Sequence, residues 1–240
     1  EDASHAIGGK YQGEFIGNCR YSDITVFSYH PVKIITTAEG GMALTNSAEL
    51  ADKMAFLRSH GITRDPTLMT READGPWYYQ QIDLGFNYRM TDVEGAIGSK
   101  QMDQAAEITD RRRANAAAHT DALASIDGLH APVETDKATH VYHLYPVRID
   151  PSAFITPEGG ESIRDLFCRA LNAEGIGTAI HYPRSLTRQP LFDKPGVDHQ
   201  PVADSLADLL FCVPVHQHLS EQQIAKVGQA LKKVADGLRR

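Results

Sequence analysis

The sequence predicts an α/β fold, and three observations carry that reading. Short runs rich in β-branched and aromatic residues, Ile24 to Ser28 and Val141 to Ile149, read as strands. Amphipathic stretches that begin on a cap residue, Ser162 to Glu174 and Ser220 to Leu238, read as helices. No internal repeat and no low-complexity tract points to a solenoid or a disordered chain.

The 240 residues are enough for one large domain or two small ones with a real core. Net charge is −7, and the only basic run is Arg111-Arg112-Arg113, so neither nucleic acid nor an anionic membrane is the expected partner. The three cysteines, Cys19, Cys168 and Cys212, are scattered and odd in number. They form no disulfide framework, and a reducing, cytoplasmic setting is expected. No run is long and apolar enough to cross a bilayer. The chain opens Glu1-Asp2-Ala3-Ser4-His5-Ala6 without a methionine, and reads as though a first strand lies upstream.

Taken in order, the elements are as follows. Ile24 to Ser28 is a strand, and Met42 to Asn46 a second. Asn46, with Glu49 three on, caps a helix whose face carries Leu50, Met54 and Leu57 and which Gly61 ends. Residues 62–82 read as a long loop carrying the only tryptophan, Trp77, beside Tyr78 and Tyr79. A loop of that length is functional more often than not; pinning to the surface by aromatic packing is the other reading. Thr91 and Glu94 form a capping box, and helical composition continues to Gly128, with Gly95 and Gly98 marking close packing. Ile176 to Tyr182 reads as a short strand and Val202 to Leu210 as a helix. In the two amphipathic helices, Ile163, Leu166, Phe167, Ala170 and Leu171 face inward in one, and Ile224, Val227, Leu231, Val234 and Leu238 in the other. The expected domains are 1–105, a connecting helix over 106–136, and a small α/β domain over 137–240.

The chemistry centres on Ser28 to Gly41. Ser28 ends a strand, Lys33 follows five residues on, and Thr37-Ala38-Glu39-Gly40-Gly41 turns into the next strand. A lysine fixed at a strand end suits nucleophilic amine chemistry, because burial disfavours an ammonium; a solvated surface charge is the ordinary alternative. Asp2 and His5 lie three apart near the start, where Asp2 also fits a turn or cap. His181 and Tyr182 suit either substrate contact or core packing. His140 with His143, and His216 with His218, lack the cysteine or acidic ligand that would complete a metal set, so no metal is expected.

Four motifs occur in order: Glu1-Asp2-Ala3-Ser4-His5-Ala6, Ser28-Tyr29-His30 with Lys33, Thr37 to Gly41, and Gly85-Phe86-Asn87-Tyr88-Arg89-Met90. Together they resemble the DegT/StrS family of pyridoxal-phosphate-dependent sugar-nucleotide aminotransferases, over nearly the whole chain. The resemblance implies fold type I, the aspartate-aminotransferase-like fold, with the latter part of the large domain and the complete small domain present. It implies that Lys33 binds pyridoxal 5′-phosphate covalently and then shuttles a proton. Asp2 would pair with the ring nitrogen, His5 would lie near the phenolic oxygen, and Ser28 would hold the phosphate. Asn87 would reach the phosphate bound by a neighbouring subunit, which implies a homodimer with shared sites. Lysine at position 33 favours a transaminase over the related dehydrases, which carry histidine there.

Arg58 to Pro66 and Gly75 to Tyr79 resemble the branch that aminates C4 of a nucleotide-linked 4-keto-6-deoxy sugar in pseudaminic acid synthesis, with an amino acid, L-glutamate, as donor. His60, Trp77, His181 and Tyr182 are the candidate substrate contacts. Family members carry an upstream portion with an aromatic that stacks on the pyridine ring and a small-residue turn for the phosphate. The resemblance therefore implies a site completed by residues preceding Glu1. Amination at C3, and a non-catalytic dimerising subunit, stay open as alternatives.

Overall fold

The structure, a computed structural model, describes all 240 residues. The chain divides into two compact units, Glu1–Ala106 with Lys137–Thr139, and Glu107–Asp136 with His140–Arg240.

The first unit contains β1 (Lys10–Tyr11), β2 (Glu14–Phe15), β3 (Thr25–Ser28), β4 (Gly41–Leu44), α1 (Ala48–Arg58), β5 (Ile62–Thr63), β6 (Gln80–Gln81) and α2 (Asp92–Met102). β3 and β4 form an antiparallel pair that sets Ser28 opposite Gly41. Along β3 the side chains alternate as a strand requires: Thr25 and Phe27 are buried, while Val26 faces out. β5 and β6 pair antiparallel and close the loop between them.

α1 starts one residue later than the sequence suggests. The Ser47 hydroxyl accepts from Leu50 N at 3.3 Å, while the Asn46 amide turns away and donates to Asn18 O at 2.9 Å. Asn and Ser are about equal as caps, so adjacent copies leave the boundary undecided. The predicted face of Leu50, Met54 and Leu57 is only half-buried. α2 carries the expected capping box, with Glu94 N donating to Thr91 Oγ1 at 3.2 Å and Thr91 N to Glu94 Oε2 at 2.8 Å. Helical structure does not run unbroken to Gly128: α2 ends at Met102, and α3 (Ala105–Leu123) begins after a turn.

The second unit holds α3, β7 (Leu129–His130), β9 (Tyr145–Ile149), α4 (Ile163–Ala173), α5 (Pro201–Ala207), β10 (Leu210–Val213) and α6 (Glu221–Gly237). The remaining strand, β8 (Ala138–Thr139), pairs with β1 in the first unit. β9 is the centre of an antiparallel sheet ordered β10-β9-β7. Tyr145, Val147 and Ile149 point to one face and are fully buried. Ile163, Phe167 and Leu171 of α4 and Val227, Leu231 and Val234 of α6 join this core, at the spacing of one helix face. Leu166, Ala170 and Leu238 pack at its margin. α6 begins on the expected Ser220–Gln223 capping box. Of the predicted strand Ile176 to Tyr182, only Ala179 pairs, bridging to Cys212. No helix is long and apolar enough to cross a membrane.

Candidate active site

The first residues run beside β3. Asp2 forms a parallel bridge to Val26, with Val26 N donating to Glu1 O and Ala3 N to Val26 O, each at 2.9 Å. Ser28 stands two residues further along that strand, and Lys33 lies on the loop that leaves its end.

That loop is closed on Tyr29. Tyr29 N donates to Gly40 O at 2.9 Å, and Tyr29 O accepts from Thr37 N at 3.0 Å and from Thr36 Oγ1 at 2.8 Å. Lys33 N donates to His30 O at 2.9 Å. Ile34 and Ile35, next to the lysine, are buried and anchor its backbone from within. Thr36 N donates to Gln101 Oε1 of α2 at 3.0 Å. α2 approaches closely at Gly98, where a Cβ would fall 2.7 Å from Thr37 Cγ2. The expectation of close packing thus holds at Gly98, while a Cβ at Gly95 would meet nothing within 4 Å. Gly40 needs its freedom, with φ of 150° and a Cβ that would fall 2.5 Å from Thr37 Oγ1.

Asp2, His5 and Lys33 form one electrostatic group. Hydrogen bonds from Ser4, then the nearby charges of His5 and Lys33, hold the Asp2 carboxyl below the usual carboxylate range. Ser4 N donates to Asp2 Oδ1 at 3.0 Å, an Asx turn that keeps the carboxylate in place. Ser4 is the residue sequence reasoning overlooks, although Asp-x-Ser is the signature of such a turn. Ser28 is half-buried, and its hydroxyl accepts from His30 N at 3.4 Å.

His60 and Asn87 meet in a second group, at the C-terminus of α1. The last carbonyls of that helix lack helical partners, and the Gly85 to Met90 motif supplies them. Phe86 N donates to Leu57 O at 2.7 Å and Tyr88 N to Arg58 O at 3.0 Å. His60 N donates to Phe86 O at 2.8 Å, and Asn87 bridges to Ser59. Only glycine fits at 85, because a Cβ there would fall 2.3 Å from Gly61 N. This places Asn87 on the surface between Phe86 and Tyr88, whose rings stack at 4.7 Å.

Trp77 lies on the loop between β5 and β6 and is 72% exposed. His181 and Tyr182 belong to the second unit. Both are exposed, so core packing does not account for them. They line a cavity of about 700 Å³ with Arg184, Ser185, Leu206 and Leu210.

The DegT/DnrJ/EryC1/StrS aminotransferase family profile matches residues 1–232. A UDP-4-amino-4,6-dideoxy-N-acetyl-beta-L-altrosamine transaminase of Campylobacter jejuni is 29% identical over 240 residues, which cover 100% of this chain and 59% of that protein. A UDP-N-acetyl-3-dehydro-alpha-D-glucosamine 3-aminotransferase of Acidithiobacillus ferrooxidans is 30% identical over 238 residues, covering 99% of this chain and 57% of that protein. Among solved structures, the aminotransferase TlmJ from Streptoalloteichus hindustanus superposes with a TM-score of 0.83 at 27% identity, covering 99% of this chain and 58% of that one. The fold is therefore that of the type I pyridoxal-phosphate-dependent aminotransferases. The chain spans just over half the length of these relatives. With the family profile matched over nearly its whole length, the chain belongs to the DegT/DnrJ/EryC1/StrS aminotransferase family.

Proposed function

We propose that the protein transfers an amino group from an amino acid, L-glutamate, to C4 of a nucleotide-linked 4-keto-6-deoxy sugar, on the way to pseudaminic acid or a related surface glycan. The observation that carries this reading is the frame of β3, which takes Asp2 alongside Val26, ends on Ser28 and leads into the closed loop that holds Lys33. The donors present fit pyridoxal 5′-phosphate: an ionised carboxylate for the ring nitrogen, a primary amine for the aldehyde, and the Ser28 hydroxyl for the phosphate. When bound, the cofactor withdraws electrons from the carbon that loses its proton.

In this reading Asp2 would keep a proton on the ring nitrogen, because a fixed anion beside a base favours its protonated form. His5 would help hold the cofactor at its phenolic oxygen. Lys33 would hold the cofactor through its Nζ and, once released, would supply the base that moves the proton of the substrate carbon. A histidine at position 33 could not attach and be released in this way. Asn87 acts across a dimer interface, which the exposed Phe86–Tyr88 stack and the exposed side chains of Leu84 and Val93 support. His60, Trp77, His181 and Tyr182 contact the nucleotide sugar. Residues 1–105 then correspond to the latter part of the large domain, 106–136 to the linking helix and connector, and 137–240 to the small domain.

Amination at C3 is the second reading, because the 3-aminotransferase relative matches as well as the altrosamine transaminase. One experiment tests both. Protein loaded with pyridoxal phosphate is incubated with L-glutamate and UDP-linked 4-keto or 3-keto sugars, and the product is read by NMR. We expect 2-oxoglutarate and a 4-amino sugar. A 3-amino product would transfer the assignment to C3. No amino transfer to either sugar would leave the dimerising-subunit alternative.

A further inference from the structure

Residues 64–79 leave β5 and return at β6 with no helix or strand of their own. Such a loop has few ways to satisfy its backbone, and it needs a tie from within. The tie is one side chain. Gln80 is only 9% exposed. Its Oε1 accepts from Thr70 N at 2.7 Å and from Thr70 Oγ1 at 3.0 Å. Its Nε2 donates to Arg71 O at 3.3 Å and to Tyr78 Oη at 3.1 Å. All four hydrogen-bonding positions of the amide are thereby used, and they gather both limbs of the loop. Tyr78 Oη also accepts from Arg71 Nε at 2.5 Å.

Around this buried tie, the loop carries aromatic rings outside. Trp77 is 72% exposed and Tyr79 50%. Trp77 folds over Gly75, where a Cβ would fall 2.5 Å from the ring. The Arg64 guanidinium lies 5.9 Å from the centre of the Tyr79 ring. A flat indole, a phenol and a guanidinium in fixed positions supply stacking faces and a cation, which suit an aromatic base carrying phosphates. We propose that Gln80 is a positioning residue, whose buried amide holds loop 64–79 in the shape that presents Trp77 and Tyr79 to the nucleotide portion of the substrate. This rests on the sugar-nucleotide reading given above.

Trp77 is the only tryptophan in the chain, so its fluorescence reports on this loop alone. Gln80→Leu keeps the bulk and removes all four hydrogen bonds. Thr70→Val removes one donor and serves if the first variant fails to fold. The expected result is faster local motion of Trp77 in fluorescence anisotropy, larger for Gln80→Leu than for Thr70→Val. Uridine diphosphate should quench Trp77 in the unaltered protein and do so more weakly in the variants. In amino transfer the KM for the nucleotide sugar should rise on the order of tenfold, the cost of a misplaced contact surface. kcat and the KM for the amino donor should stay within about twofold.

Unchanged anisotropy in the variants would overturn the tie. A loosened loop with unchanged KM and unchanged quenching would overturn the presentation of Trp77 to the nucleotide. A fall in kcat without a change in KM would overturn it too, since a merely structural role gives that pattern. The quenching arm needs no turnover. Failure of the transaminase reading therefore shows as absent amino transfer in the unaltered protein, while failure of this inference shows in the fluorescence.

Discussion

Asp2 and Lys33 are both positioned by β3, although the two residues reach it by different routes. Asp2 arrives by pairing alongside β3 at Val26, and Lys33 by the closed loop that follows the strand. One strand thus sets the spacing between an acid and an amine, and the proposed chemistry depends on that spacing.

Removing the charge of Asp2 while keeping its shape should separate binding from catalysis. We predict that Asp2→Asn still takes up pyridoxal phosphate at Lys33 but slows single-turnover amino transfer by at least about tenfold, equivalent to about 1.4 kcal/mol of barrier. Rapid-mixing absorbance measurements would show this. Turnover at the unaltered rate would count against the ion pair with the ring nitrogen.

The lowered pKa of Asp2 also predicts a pH effect. A carboxyl whose folded value is depressed loses its contribution only as pH falls through that depressed value. Between about pH 5 and 8, Asp2 therefore stays ionised and cannot be the source of an acid limb in the rate profile. Asp2→Asn should lower the whole profile without moving that limb. A shifted limb in the variant would show that Asp2 titrates in the working range.

Two glycines of α2 should respond in opposite ways. Alanine at Gly95 meets nothing, so it should stabilise the protein by about 0.5–1 kcal/mol through helix propensity. Alanine at Gly98 gains the same propensity but presses on Thr37, and overpacking costs about 1–3 kcal/mol. Denaturant unfolding should rank Gly95→Ala above the parent and Gly98→Ala below Gly95→Ala by about 1–3 kcal/mol. Equal stability of the two variants would mean that the Thr37 loop yields freely.

In the second unit, Tyr145 is fully buried, its hydroxyl lies 2.7 Å from Thr120 Oγ1, and burial pushes its pKa up to about 12. Folding thus favours the neutral phenol. That contribution is complete below the unfolded value near 10 and is lost as pH rises from there through about 12. Tyr145→Phe should cost on the order of 1 kcal/mol at neutral pH, for the lost hydrogen bond, and should flatten the alkaline fall in stability. Unfolding curves from pH 8 to 11 would test this; an equally steep alkaline fall in the variant would assign it to another group.

Much of this architecture is legible in the residue pattern, and the omissions have physical causes. The Thr91 and Ser220 capping boxes are local signals and sit where their spacing puts them. The inward faces of α4 and α6 follow from helical periodicity and a shared sheet. The break between α2 and α3 carries no glycine or proline to announce it. Ile176 to Tyr182 has strand composition, yet only Ala179 finds a pairing neighbour, and neighbours are not written in a single segment. The pairing of β1 with β8 is equally remote in sequence. Within the site, Asp2 and Lys33 are legible as residue types with a motif. Ser4 carries the local Asp-x-Ser signal of a turn, whereas Gln101 and Gln80 act through bonds that appear only once the chain is folded.

The most direct test is borohydride reduction of the pyridoxal-phosphate-loaded protein, followed by peptide mapping. The label should lie on Lys33 alone, and Lys33→Ala should abolish it together with the visible absorbance of the bound cofactor. Label on any other lysine, or an unchanged absorbance in Lys33→Ala, would contradict the assignment of this strand-end lysine and the active site built around it.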